Sequence, residues 1–308
     1  FLGPLHLSRS DYFPFTWDEG TYRGHVYVLP VDTDSRGMSY NKALFANAGL
    51  DPDNPPVQLA AVDDAAKKLT IPDAGGKYKQ IGLIPWNHQG VYLFTWTPSF
   101  GGSLYDEATG KLTVNDPHNV HVLDWFHSYA AEYGYPLGGV NFPGGNLAME
   151  IDGNQYVEST HASHPEMQIG VAPMPYPDGG RPDTTYAGGF GIAVLSGSKH
   201  PKEAATFAAY WVSAQTELTL AKATGSFPAV ISAARDPFFR SDPYHDTFLM
   251  MLPRAIARPP VPILGTLWDE LKATTNRVLK NNEVPQAVLD DVQTRMEALL
   301  EQTANGAH

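Results

Sequence analysis

Asp32, Asp34 and Arg36 stand on alternate positions of a polar loop, Val-Asp-Thr-Asp-Ser-Arg, between an apolar stretch and a Tyr-Asn-Lys that opens a helix. Two carboxylates and a guanidinium at that spacing can take and give paired hydrogen bonds, the contacts that hold ring hydroxyls. The second useful set is aromatic. Phe, Trp and Tyr make up 11% of the chain, more than elements this short need for a core, and aromatic faces stack on the apolar faces of sugar rings. Tyr92, Phe94, Trp96 and Trp268 are the candidates, with core packing the other role open to each. His118, His121, Asp124 and His127 share a helix face and form the best metal candidate, against the plainer reading of a solvated helix start. A carboxylate pair such as Asp152 and Asp32 could do acid and base work on a glycosidic bond, but such a pair is defined by separation in space.

Other chemistries are excluded by what the chain lacks. No G-x-S-x-G elbow, H-E-x-x-H, Walker loop or G-x-G-x-x-G occurs. With no cysteine, disulfides, thiolate-held zinc and thiol nucleophiles all fall away, and the redox compartment stays open. The net charge is -12 and Lys plus Arg number 21, so no basic stripe is available for nucleic acid. The longest apolar runs, at 190–195 and 248–252, fall short of the roughly 20 residues that cross a bilayer. The chain of 308 residues, 43% apolar and 18% charged, is long enough for two packed domains. Its first residues, Phe-Leu-Gly-Pro-Leu-His, carry no charged or apolar leader, so a signal peptide is expected to be absent or already removed.

The chemistry-bearing residues need elements to hold them. Val26 to Leu29 reads as a strand, with a helix from about Lys42 to Ala48 closed by Gly49. Leu59, Val62, Ala66 and Leu69 fall on one face of the next helix. Gln80 to Ile84 is a strand, and the stretch beyond it, crowded with aromatics, ends in a Gly-Gly and a hairpin-like tip. Asn115 or Asp116 caps a helix with Pro117 at its first position, Val122, Phe126, Tyr129 and Tyr133 on one face and Gly134 at its end. Leu147 to Ile151, Gln168 to Ala172 and Phe190 to Leu195 are further strands. Pro201 opens a helix whose buried stripe is Ala204, Ala205, Ala208, Trp211 and Val212, continuing with a break to Ala223. From Leu267 the chain is mainly helical, ending in an amphipathic helix from about Gln286 to Glu301. Strands alternating with helices point to an α/β protein with a largely parallel sheet.

Five motifs in order carry a family resemblance: G-x-V-Y-x-L-P-V-D-T-D from Gly24, Y-N-K-x-L-F-x-x-A-G-L from Tyr40, G-G-S-L-Y-D from Gly101, A-M-E-I-D-G from Ala148, and G-G-F-G-I-A-V from Gly188 followed by S-K-H-P-K-E-A. Together with Phe-Pro-Phe-Thr-Trp-Asp at 13–18, this arrangement resembles the extracellular solute-binding proteins of sugar ABC transporters, the maltose-binding-protein-like family, over nearly the whole chain. The resemblance implies a two-lobe periplasmic-binding-protein-like fold with a hinge. Residues 1–33 and 190–243 would be what is present of lobe one, an incomplete N-terminal lobe, and residues 34–189 and 244–308 would form lobe two. An incomplete lobe is expected to expose strand edges and apolar surface.

The implied function is capture of a sugar or oligosaccharide between the lobes and delivery to a membrane permease, by a monomer outside the cytoplasm, in the periplasm or lipid-anchored at the cell surface, with no cofactor. Asp32, Asp34 and Arg36 would lie where the chain first crosses between lobes. Asp34 falls where relatives place a hydroxyl-binding carboxylate, and Trp268 where they place a stacking aromatic. Tyr92 and Phe94 add stacking, and Gly188 and Gly189 let a ligand approach backbone. Where relatives carry a stacking Trp after A-M-x-x-x-G, this chain has Gln155, with Tyr156 beside it. A carbohydrate hydrolase and a remnant that has lost high-affinity binding are the alternatives.

Overall fold

The computed structural model describes residues 7–86, 92–134, 139–241 and 243–306; the first six residues and part of the aromatic stretch, residues 87–91, lie outside that range. A five-stranded sheet runs in the order Ile169–Ala172, Arg36–Asn41, Leu147–Gly153, Tyr78–Leu83, Ile71–Pro72. Leu147–Gly153 is buried along its whole length, the mark of a strand covered on both faces. The sheet is mixed, which corrects the expectation of a largely parallel one. Tyr78–Leu83 runs parallel to Leu147–Gly153, while Arg36–Asn41 is antiparallel to both of its neighbours. Alternation of strands and helices reports the layers but leaves strand direction open. Arg36 pairs with Gly153, so the strand enters the sheet where its neighbour leaves it.

Helices pack this sheet as the periodicity predicts. Leu59–Leu69 buries Leu59, Val62, Ala65, Ala66 and Leu69, and it lies so close to the sheet that a Cβ on Gly82 would meet the Ala66 carbonyl oxygen at 2.1 Å. Pro117–Tyr133 starts where Asp116 accepts a hydrogen bond from the His118 N–H at 2.8 Å, and it ends at Gly134, whose φ of +89° suits glycine. Val122, Phe126 and Tyr129 are buried on its inner face. Tyr92–Phe100 is buried from Leu93 to Phe100, so most of the aromatic crowding belongs to the core. Trp96 is fully buried there, its indole N–H given to the Pro85 carbonyl at 2.9 Å.

A second, smaller core gathers Tyr12, Trp17, Leu29, Val31, Ala208, Val212, Ala229, Val230 and Ala233. Among the described residues its strand pairing is short, Leu29–Pro30 against Gly191–Ile192 with an isolated bridge from Tyr12 to Val230. The strand expected over Phe190 to Leu195 shrinks to those two residues, and Phe190 and Leu195 are 76% and 78% exposed. The strand expected from Val26 to Leu29 divides into His25–Val26 and Leu29–Pro30. In Pro201–Trp211 the stripe of Ala205, Ala208 and Val212 is buried, but Trp211 is exposed beside Phe207 and Tyr210. An apolar residue is buried only when a second layer faces it, and among the described residues none covers this side.

Three stretches of chain lie side by side between the cores. Val31 donates to the Phe190 carbonyl at 2.9 Å and Asp34 to the Gly188 carbonyl at 2.9 Å. On the other edge, Thr33 and Phe227 exchange two backbone hydrogen bonds of 2.8 Å each. Asp32 accepts from the Phe190 N–H at 2.7 Å and Asp34 from the Gly188 N–H at 3.0 Å. Gly189 cannot be replaced without movement, because a Cβ would stand 2.1 Å from the Asp32 carbonyl oxygen.

Candidate functional site

A cavity of about 400 Å³ opens where a short helix bridges the two cores, its buried apolar lining, Phe15, Phe94, Leu104 and Tyr186, belonging to the larger. The short helix Pro14–Glu19, which hangs between them, supplies Phe15, Asp18 and Glu19 to one wall. Phe94, Tyr105, Tyr186 and Arg258 come from the other side. A smaller cavity of about 240 Å³ sits against the crossing, walled by Asp32, Gly188, Gly189 and Phe190. Glu19 and Arg258 line both. They form an ion pair through the Arg258 Nε and Glu19 Oε1, and Arg258 Nη2 also donates to the Gly189 carbonyl at 3.3 Å. Burial pushes the Glu19 carboxyl above its ordinary range, with the Arg258 charge pulling the other way.

Tyr186 is the centre of the larger wall. Its ring lies 6.0 Å from that of Phe94, and the Arg36 guanidinium sits over it at 5.4 Å. Burial pushes its phenol up to about 12, so it stays a neutral hydroxyl. Phe94 stacks on Trp268 at 5.0 Å and 28°. The two predicted stacking residues therefore meet each other: Phe94 lines the cavity and Trp268, half-buried on the helix Leu264–Leu279, supports it from the far side.

Asp34 and Arg36 are joined at 2.8 Å. With its other oxygen on Gly188, Asp34 is fully engaged by the protein and ties the crossing together. Asp32 does the same for Phe190 while facing the smaller cavity. Gly188 and Gly189 belong to that cavity as well. Tyr92 is instead part of the large core, edge-on to Phe126 at 6.1 Å. Gln155 is exposed and Tyr156 half-buried on the helix Asn154–Ser163, and neither borders the two cavities. Burial raises the Tyr156 phenol, helped by the charges of Glu150 and Asp152. It is Asn154, one residue earlier, that reaches the crossing, donating to the Gly225 carbonyl at 2.5 Å and accepting from the Ser35 N–H at 3.4 Å.

Asp152 and Asp32 do not share a cavity: Asp152 sits in the sheet opposite Gly37 and borders neither one, its carboxylate accepting from the Gly153 N–H at 2.7 Å. The histidines are likewise separate, His118 on Asp116 at 2.7 Å, His121 edge-on to Phe100 and His127 on Asn282 at 2.8 Å. Among the described residues no three His, Asp or Glu converge as metal ligands. Sequence reading missed Phe15, Glu19, Tyr105, Tyr186 and Arg258. Three of them had a signal, for Phe15 belongs to the Phe-Pro-Phe-Thr-Trp-Asp motif, Tyr105 to the G-G-S-L-Y-D motif, and Arg258 opens a Pro-rich apolar stretch.

Residues 4–217 match the family described as bacterial extracellular solute-binding protein. This chain belongs to that family. Members work outside the cytoplasm, and no helix among the described residues is long and apolar enough to cross a membrane. The solute-binding protein nature of the chain accords with its neighbours. A structure solved with mannobiose bound superposes with a TM-score of 0.83 at 27% identity, covering 94% of this chain and 76% of that one. The maltotriose-binding protein of Pyrococcus abyssi is 23% identical over 84% of this chain, which spans 56% of that relative's length. The sn-glycerol-3-phosphate-binding periplasmic protein of Agrobacterium fabrum is 24% identical over 91% of this chain and 68% of its own. The fold is thus the two-lobe α/β fold of sugar-binding proteins.

Proposed function

We propose that this chain is the substrate-binding component of an ABC transporter, capturing a sugar or oligosaccharide between its lobes and presenting it to a membrane permease. The observation that carries the reading is the cavity beside the helix Pro14–Glu19, whose lining sets the largely buried rings of Phe15, Phe94 and Tyr186 next to the polar groups of Asp18, Glu19, Tyr105 and Arg258. Aromatic planes with carboxylates and hydroxyls at their edges match the two-sided chemistry of a sugar ring. In this reading residues 1–33 and 190–243 form one lobe and residues 34–189 and 244–308 the other. Asp34 and Arg36 hold the hinge and back the Tyr186 face, and Gly188 and Gly189 give the crossing its close backbone approach. The protein is a non-catalytic monomer that acts outside the cytoplasmic membrane, free or lipid-anchored.

Closure of the lobes on ligand needs a difference in affinity between open and closed forms. The walls supply it, since Phe15 and Glu19 come from one side and Phe94 and Tyr186 from the other, and only the closed form brings both against one ring. Titration calorimetry of the protein with neutral oligosaccharides, mannobiose and maltotriose first, is expected to give saturable one-to-one heat and a raised melting temperature. A flat titration across a panel of neutral sugars, with no shift in melting, would sink the reading.

A further inference from the structure

We infer that the cavity selects by charge: it takes uncharged sugars and turns away phosphate esters, and Glu19 is the residue that sets this by neutralising the cavity's cation. The inference rests on the sugar-binding reading of the same cavity and sharpens it. It matters because the relatives divide on this point, one named for maltotriose and another for sn-glycerol-3-phosphate.

A phosphate monoester carries about -1.5 to -2 charges near neutral pH and is held by cations or by N–H groups with no other acceptor. Among the described residues that line the larger cavity, the only Lys or Arg is Arg258, against three carboxylates, Asp18, Glu19 and Glu107. Arg258 is already committed, through Nε to Glu19 and through Nη2 to the Gly189 carbonyl. Asp18 is balanced from outside the cavity by Arg9, which reaches both its oxygens at 2.7 and 2.5 Å, so that cation too is spent on a protein carboxylate. The helix that opens in this wall begins with Pro14, which has no N–H, and Thr16 gives its N–H to the Phe13 carbonyl at 3.0 Å. A phosphate entering here would lose its water, meet net negative charge and find its one guanidinium bridged to a competitor. A neutral ring meets no charge repulsion, and the water its hydroxyls lose is replaced as they donate to Asp18, Glu19 and Glu107.

Glu19→Gln keeps the side-chain volume and one acceptor for Arg258 but removes the charge that neutralises it. Calorimetry is run on the wild-type chain and on E19Q with mannobiose, maltotriose and sn-glycerol-3-phosphate at two salt concentrations. The expected result is a neutral sugar bound at least about 100-fold more tightly than the phosphate by the wild type, and a gap narrowed at least about tenfold in E19Q by gained, salt-sensitive phosphate binding. Wild-type binding of the phosphate within about tenfold of the best neutral sugar overturns the inference while leaving a solute-binding cavity in place. Should neither ligand class bind the wild type, the sugar reading fails and with it the sugar half of the inference, and E19Q decides the other half: gained phosphate binding upholds Glu19 as the group that excludes phosphate, and none overturns it. If E19Q does not fold by circular dichroism, Glu107→Gln at the cavity wall takes its place, with a smaller gain for the phosphate expected and an unchanged preference counting against the inference.

Discussion

The two cores of this molecule are built from the same kinds of residue and meet different fates. In the larger one, Leu147–Gly153 has helices on both faces, and Phe126, Trp96 and Phe100 are fully enclosed. In the smaller one the strand pairing is two residues long, and Phe190, Leu195, Phe207, Tyr210 and Trp211 face outward. Apolar surface is thus buried by the layer opposite it and not by its own hydrophobicity. The helix Pro14–Glu19 joins the two cores, with Phe15 packed in the larger and Trp17 in the smaller.

The difference can be broken most strongly from the larger side. Phe126→Ala leaves a cavity among Trp86, Tyr92, Trp96 and Trp125 and is expected to cost about 3–5 kcal/mol in urea unfolding, with both cores lost together. A cost under about 1 kcal/mol would mean the larger core is not enclosed as described. Next in size is Gly189→Ala at the crossing. Its Cβ has to push the Asp32 carbonyl aside, so about 1–3 kcal/mol of stability goes, and ligand affinity falls with it by calorimetry. Trp268→Ala removes the ring that backs Phe94 and is expected to weaken sugar binding by about 1 kcal/mol with little change in melting temperature. Unchanged affinity would take Trp268 out of the site.

The smaller core should also announce itself by pH. Glu217 is buried there, accepting from the Val230 N–H at 2.8 Å, and burial pushes its carboxyl up to about 9. A carboxyl raised in the folded state stabilises it fully below the unfolded value near 4.5 and loses that contribution as pH climbs toward 9. The tryptophan and tyrosine signals of the smaller core are expected to melt progressively earlier across that window, and Glu217→Gln should flatten the slope. A wild-type melting curve that does not move between pH 5 and pH 9 would contradict this. Smallest of all is Phe207→Ser, expected to change folding stability by no more than about 0.5 kcal/mol while lowering self-association in light scattering.

Where a local rule decided the outcome, the sequence was legible. Asp116 with Pro117 fixed one helix start, Gly134 fixed its end, and the Leu59 face packed as its spacing demanded. Strand direction was not legible, because it depends on where distant segments enter the sheet. The 190–195 run was misread as a full strand for a related reason: its hydrophobicity asks for a partner layer that the described chain does not provide. Asp32 and Asp34 were singled out as polar residues of the crossing and through the family resemblance, yet both are used by the crossing itself. Glu19 and Arg258 lie 239 residues apart, and no spacing rule reaches that far. Phe94 was legible as an aromatic, but only the packing shows that its partner in stacking is Trp268 and that Tyr92, two residues away, serves the core.

The crossing has one more consequence. Its middle stretch is bonded along both edges, to Gly188 and Phe190 on one side and to Phe227 on the other. Three separate tethers could twist, slide and bend independently, whereas a ribbon laced across its width flexes easily in only one direction. On the proposed reading of two closing lobes, such a ribbon would let them turn as a book does on its spine, along a single coordinate. A ligand that shuts them has few alternative arrangements to suppress, and little of its binding energy is lost in choosing among them.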